Sequence, residues 1–147
     1  MYKISELEMN GFLNDDNKYG VINVYDDLNE MSRFGIIPDS TLSIHIEGGE
    51  GYVPHMHICK TSGKNIIMRI CLTENKYFRE KDDKYNTLNS KERKALQKYL
   101  STPVQYANGI TNWHLLVYMW NNYNPAHTIN PNTISQPDYT NIDEAWR

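Results

Sequence analysis

The sequence predicts an α+β domain: an antiparallel sheet of three to four strands, near 41–47, 53–60 and 65–72, covered by two helices near 90–100 and 112–124. Three observations carry this. Leu42, Ile44 and Ile46 alternate with Thr41, Ser43, His45 and Glu47, which is the period of two of a half-buried strand. Two further apolar runs, YVPHMHICK and NIIMRICL, flank Thr61-Ser62-Gly63-Lys64, which reads as a hairpin turn with Gly63 taking the positive φ. After Thr73 the period turns helical, and Trp113, Leu116, Val117 and Trp120 fall at i, i+3, i+4 and i+7 of one helix face.

Taken in order, residues up to Gly20 show no firm period. Tyr19 to Tyr25 reads as a short strand with Val21, Asn23 and Tyr25 on one side, and Asp26 to Phe34 as a short helix that Gly35 stops. Gly48-Gly49-Glu50-Gly51 breaks the chain after the first clear strand, and Val53 to Lys60 leads into the hairpin. Asn65 to Leu72 is nearly all apolar, so it belongs in the middle of the sheet, buried on both faces. Arg79 to Lys84 mixes both signs of charge and reads as a solvated turn. Asn89 and Glu92 have the spacing of a capping box, with Leu96, Tyr99 and Leu100 as the apolar stripe of the helix that follows, up to Pro103. Thr111 is the N-cap of the second helix, which must stop before Pro125. Residues 1–124 therefore read as one α+β domain, and residues 125–147, with three prolines and no period, as an irregular C-terminal arm whose Trp146 would dock back onto the domain or a neighbouring subunit.

The length of 147 residues supports a single core. Apolar residues at 39% are enough to offset chain entropy, so the chain is not disordered as a whole. No run approaches the ~20 apolar residues that span a bilayer, and the acidic start MYKISELEMN is unlike a signal peptide. A net charge of −3 lacks the positive excess of a phosphate-neutralising protein, which disfavours direct nucleic-acid binding through exposed Tyr and Lys. Cys59 and Cys71 lack zinc-ribbon spacing. With Ser62 and Gly63 as the loop, Cys59 faces Ile66 and Cys71 faces Pro54, so the thiols lie far beyond the ~7 Å limit on Cα separation for a disulfide. Both should be free, as in a reducing cytoplasm.

The chemistry-bearing residues gather in PHMHI. His55 and His57 alternate on one strand face, and Cys59 continues it. If Gly48 to Tyr52 is a five-residue loop, Glu47 pairs with Val53 and His45 pairs with His55, so His45, His55 and His57 converge with Glu47 beside them. A slip of one residue would destroy this arrangement. Three imidazoles so placed suit zinc or manganese with an open position for water, and Glu47 or Glu50 would be the base. The alternative is a strand whose histidines satisfy hydrogen bonds in a core or face a partner, with no cofactor. His114, opposite Trp113, reads as a solvated helix residue, and His127 lies beyond that helix.

Gly49, five residues, His55, one residue and His57 are similar to the opening of the cupin metal motif, but Ile58 to Thr61 hold no glutamate and no second motif follows. The strand is also similar to that of the histidine-triad nucleotide hydrolases, with Cys59 at the third alternating position. More broadly, PHMHI, the ICL strand, KYF, LNSKERKALQKYLSTP and TNWHLLVYMWNNYNP resemble small uncharacterised proteins of prophages and mobile elements with a PHxH strand motif, often found beside a partner in toxin–antitoxin-like pairs. The resemblance spans about Ile44 to Pro125 and carries no catalytic residues with it. It implies a cytoplasmic, non-enzymatic regulator that binds a protein or nucleoprotein, either a toxin or a host defence complex, or pairs as a homodimer. His45, Glu47, His55, His57 and Cys59 are then the candidate binding residues. The competing expectation is a metal-dependent hydrolase or nuclease on His45, His55 and His57.

Overall fold

The structure, a computed structural model, describes residues 32–49, 53–61, 66–78, 87–105 and 108–144. Five consecutive strands, β1 (Ser32–Ile36), β2 (Leu42–Ile46), β3 (His55–Lys60), β4 (Ile66–Cys71) and β5 (Lys76–Phe78), form an open antiparallel sheet in sequence order. A two-residue β6 (Asp143–Glu144) adds in parallel beside β5. Helices α1 (Ser90–Ser101) and α2 (Asn112–Tyr123) complete the α+β fold. The three anticipated strands are adjacent in the anticipated order, and β4 lies inside the sheet as its apolar composition requires.

The differences are local. The helix expected to run to Phe34 is instead β1 over its last residues; positions 26–31, like the strand expected at 19–25, the turn at 79–84 and Trp146, lie outside the described residues. Sheet pairing overrides the local pattern here: Arg33 stands opposite His45, and Gly35 opposite Ile44. Gly35 also lies under Tyr99 of α1, where a Cβ would collide with the phenol hydroxyl. β5 is unanticipated because KYF is too short to display a period; its partners Arg69 and Ile70 supply the strand context. Between β3 and β4 Cys59 does face Ile66, but a bulge follows, so His55 rather than Pro54 stands opposite Cys71.

The capping box forms as expected, with Glu92 N–H donating to Asn89 Oδ1 at 2.8 Å and Asn89 N–H to Glu92 Oε1 at 2.9 Å. Thr111 caps α2, and the partner at N3 is His114, whose Nδ1 accepts the Thr111 N–H at 3.0 Å. His114 is thus a half-buried capping residue with its ring edge-on to Trp113, not a solvated one. α2 buries Leu115, Tyr118 and Met119 besides the predicted Trp113, Leu116, Val117 and Trp120, so it is enclosed rather than amphipathic.

One apolar cluster joins Ile44, Ile46, Met56, Ile58, Met68 and Ile70 of the sheet to Leu96, Leu100, Trp113, Leu116, Val117 and Trp120 of the helices. After α2 the chain is tied down residue by residue. Trp120 Nε1 donates to the His127 carbonyl at 2.8 Å, Asn121 exchanges two 2.7 Å bonds with the Ile129 backbone, and Gln97 Oε1 accepts from the Tyr139 N–H at 2.9 Å. The fully buried Tyr139 donates its hydroxyl to the Cys71 carbonyl at 2.7 Å.

Candidate functional site

The residues between the core-facing positions of β2, β3 and β4 alternate onto the other face of the sheet: Ser43, His45, His57, Cys59, Arg69 and, at the strand ends, His55 and Cys71. Their polarity suggested contact with water, yet β2 is buried along its whole length, and His45, His55 and His57 are only 6%, 4% and 0% exposed. A second layer of side chains is therefore enclosed within the fold.

His45 stands directly opposite His57, and Ser43 opposite Cys59. The expected pairing of His45 with His55 is displaced by two residues. An even displacement keeps every side chain on its face, so the three histidines still share one surface. The helix α2 fixes the end of this surface. Trp113 Nε1 donates to the Leu72 carbonyl at 3.2 Å just after β4, and Asn124 Nδ2 donates to the Glu47 carbonyl at 3.0 Å just after β2. The helix therefore spans the ends of β2, β3 and β4, and Trp120 comes to rest 5.4 Å from the His55 ring.

Three contacts order the imidazoles. His55 Nδ1 lies 2.7 Å from the Val53 carbonyl, which can only accept, so this nitrogen carries a proton. His55 Nε2 and His57 Nε2 share a hydrogen bond across 3.1 Å, with the rings stacked 5.0 Å apart. His57 Nδ1 faces Glu47, whose Oε2 is 4.0 Å away at the half-exposed end of the row. His45 is directed elsewhere: its Nε2 is 2.9 Å from Ser43 Oγ, and that hydroxyl also reaches the Cys59 carbonyl at 3.5 Å.

The five candidate binding residues thus do share one face, but the three histidines divide into a pair and a single residue. Among the described residues no group of three His, Cys, Asp or Glu side chains is placed to hold a metal ion. Cys59 and Cys71 are buried and unbridged, as expected from the sequence. Burial pushes the Cys59 thiol up to about 11 against the opposing pull of the Arg69 guanidinium, and pushes Cys71 to about 11 with a further contribution from Glu74, partly countered by Lys76. Both are protonated at neutral pH, a poor state for a nucleophile or a thiolate ligand. Arg69, across from His57, and Trp120 belong to the site but were not legible from the motif. Ser43 was visible in the alternation that placed His45.

Set against protein-family models, curated proteins and solved structures, the chain matches none. Among the described residues no helix is long and apolar enough to cross a membrane.

Proposed function

We propose that this chain is a small non-enzymatic accessory or regulatory protein of a phage or mobile element, acting in the cytoplasm by binding a macromolecular partner. A toxin or a host defence complex is the partner class. The observation that supports this reading is the enclosure of the histidine row: of three imidazoles, none more than 6% exposed, His55 and His57 are bonded to each other and His55 to the Val53 carbonyl, while His45 is bonded to Ser43, rather than displayed to a substrate. Such a row is a structural use of buried polarity, and Ser43 Oγ carries it across to β3 at the Cys59 carbonyl. The net charge of −3 favours a basic protein or nucleoprotein surface over bare nucleic acid.

Two measurements on the full chain test this together. Affinity purification from cells that naturally carry the protein should return one stoichiometric macromolecular partner, and elemental analysis should find less than one metal per chain. One zinc or manganese per chain, lost in His57→Ala while the fold survives, would make metal-dependent hydrolysis the better reading.

A further inference from the structure

We infer that the pocket between β4, β5, α1 and the segment just before β6 binds a small aliphatic carboxylate of about four or five carbons, with its carboxylate on Arg93 and its chain against Met68, Leu88 and Ile142. The pocket has a volume of about 90 Å³, and Tyr77 and Thr87 complete its lining. It opens at the margin of the apolar cluster. Met68 and Leu88 are buried members of that cluster, Tyr77 and Ile142 pack against it half-buried, and Thr87 is exposed at the mouth. An apolar cavity of about 150 Å³ holds benzene, and one water needs roughly a tenth of that. A space of about 90 Å³ is therefore sized for a short hydrocarbon chain rather than an aromatic ring.

Arg93 defines the polar end. Its Nη1 donates to the Leu88 carbonyl at 2.6 Å and its Nε to the Thr140 carbonyl at 3.2 Å. Two such bonds fix the plane of the guanidinium, so its placement does not wait for a ligand. Both acceptors are neutral, so they orient the cation without cancelling its charge. Two acids near it in the fold have other bonds: Glu92 accepts the Asn89 N–H in the capping box, and Asp138 accepts the Thr140 N–H. A half-buried, pre-set guanidinium beside an apolar hollow matches an amphipathic anion, because the planar fork takes the carboxylate and the walls take the chain. Inorganic phosphate would satisfy the charge and leave the walls unfilled; an uncharged analogue would do the reverse. Met68 and Tyr77 lie on the core side of the sheet, so the pocket is separate from the histidine face and independent of the macromolecular partner proposed above.

Titration of the full-length protein with butyrate tests the inference, read through carbon-13 methyl labels on methionine, leucine and isoleucine. Saturable shifts centred on Met68, Leu88 and Ile142 are expected. Butyrate should bind about tenfold tighter than acetate, which lacks two methylenes, and also about tenfold tighter than butyramide or inorganic phosphate. Arg93→Gln should abolish saturation while circular dichroism shows the fold intact, and Arg93→Lys should weaken binding about tenfold, since a point charge replaces the fork. No saturation at tens of millimolar butyrate, equal binding of butyramide or phosphate, shifts centred elsewhere, or undiminished binding in a folded Arg93→Gln would each overturn the assignment. Should Arg93→Gln fail to fold for want of its two carbonyl bonds, the ranking of butyrate, acetate, butyramide and phosphate on the unsubstituted chain decides the matter alone.

Discussion

Tyr139 is the residue through which the segment after α2 can be weighed. It is fully buried, its hydroxyl donates to the Cys71 carbonyl at 2.7 Å, and its own N–H is taken by Gln97 of α1. One residue therefore joins the tail to β4 through its side chain and to α1 through its backbone. Tyr139→Phe keeps the ring and removes only the hydroxyl, leaving a buried carbonyl short of a donor, at a cost of about 1–3 kcal/mol. Tyr139→Ala removes the ring as well and opens a cavity, at a cost of about 3–5 kcal/mol. Set against a total stability of about 5–15 kcal/mol, the alanine variant should be marginal at 37 °C and the phenylalanine variant folded. Urea unfolding followed by circular dichroism and tryptophan fluorescence gives both values, and coincident curves with an unchanged slope would show that the tail unfolds with the sheet. A loss under about 1 kcal/mol for Tyr139→Ala, or a separate early transition, would refute the claim that the tail is part of the core.

Gly35→Ala should cost about 1–3 kcal/mol by driving a methyl into the Tyr99 hydroxyl, and Tyr99→Phe in the same chain should recover most of that loss; a double-mutant cycle showing plain additivity would disprove the contact. Neither thiol should react with a thiol-specific reagent in the folded protein at pH 8, both should react once it is unfolded, and an internal bridge in the mass of unreduced protein would contradict the register. His114 Nδ1 must be unprotonated to accept the Thr111 N–H, and burial lowers its pKa from 6.5. Its folded form therefore binds a proton less readily than its unfolded form, so its contribution is present above pH 6.5 and is lost as the pH falls below that value. The difference in stability between the natural chain and His114→Ala should shrink correspondingly on acidification.

Elements with several residues of local pattern were legible in the sequence. β2 shows its alternation within Leu42 to Ile46, β4 its apolar run, α1 its Asn89 and Glu92 box, and α2 its tryptophan spacing, each decided within about two turns or one strand length. β1 and β5 depend on neighbours. Arg33, Phe34 and Gly35 have no strand signature of their own, and they are extended because β2 and Tyr99 define the space beside them. His114 was misplaced for a related reason: helix periodicity gives its face, but only the position of Thr111 three residues earlier turns the ring into a cap.

The histidine face shows why the members of a site can be read from a sequence while their pairing cannot. Side chains alternate along β2 and β3, so an odd slip between the strands would bring Ile44 and Ile46 to the face of His55 and His57 and divide the apolar cluster shared with Trp113, Leu116 and Val117. Core burial forbids that slip at a cost of several side chains, each about 1.5–3 kcal/mol, and so fixes which residues share a face. It is nearly indifferent to an even slip, which restores the same faces. The choice between His45 opposite His55 and His45 opposite His57 is left to the turn beginning at Gly48 and Gly49, where Gly49 has a φ of +73°, and to Trp120 and Asn124, which anchor the strand ends from α2. Those anchors are distant in sequence. They also separate the two expectations raised by PHMHI, because the even slip leaves His45 bonded to Ser43 and His57 beside Glu47, where the shorter register would have gathered three ligands.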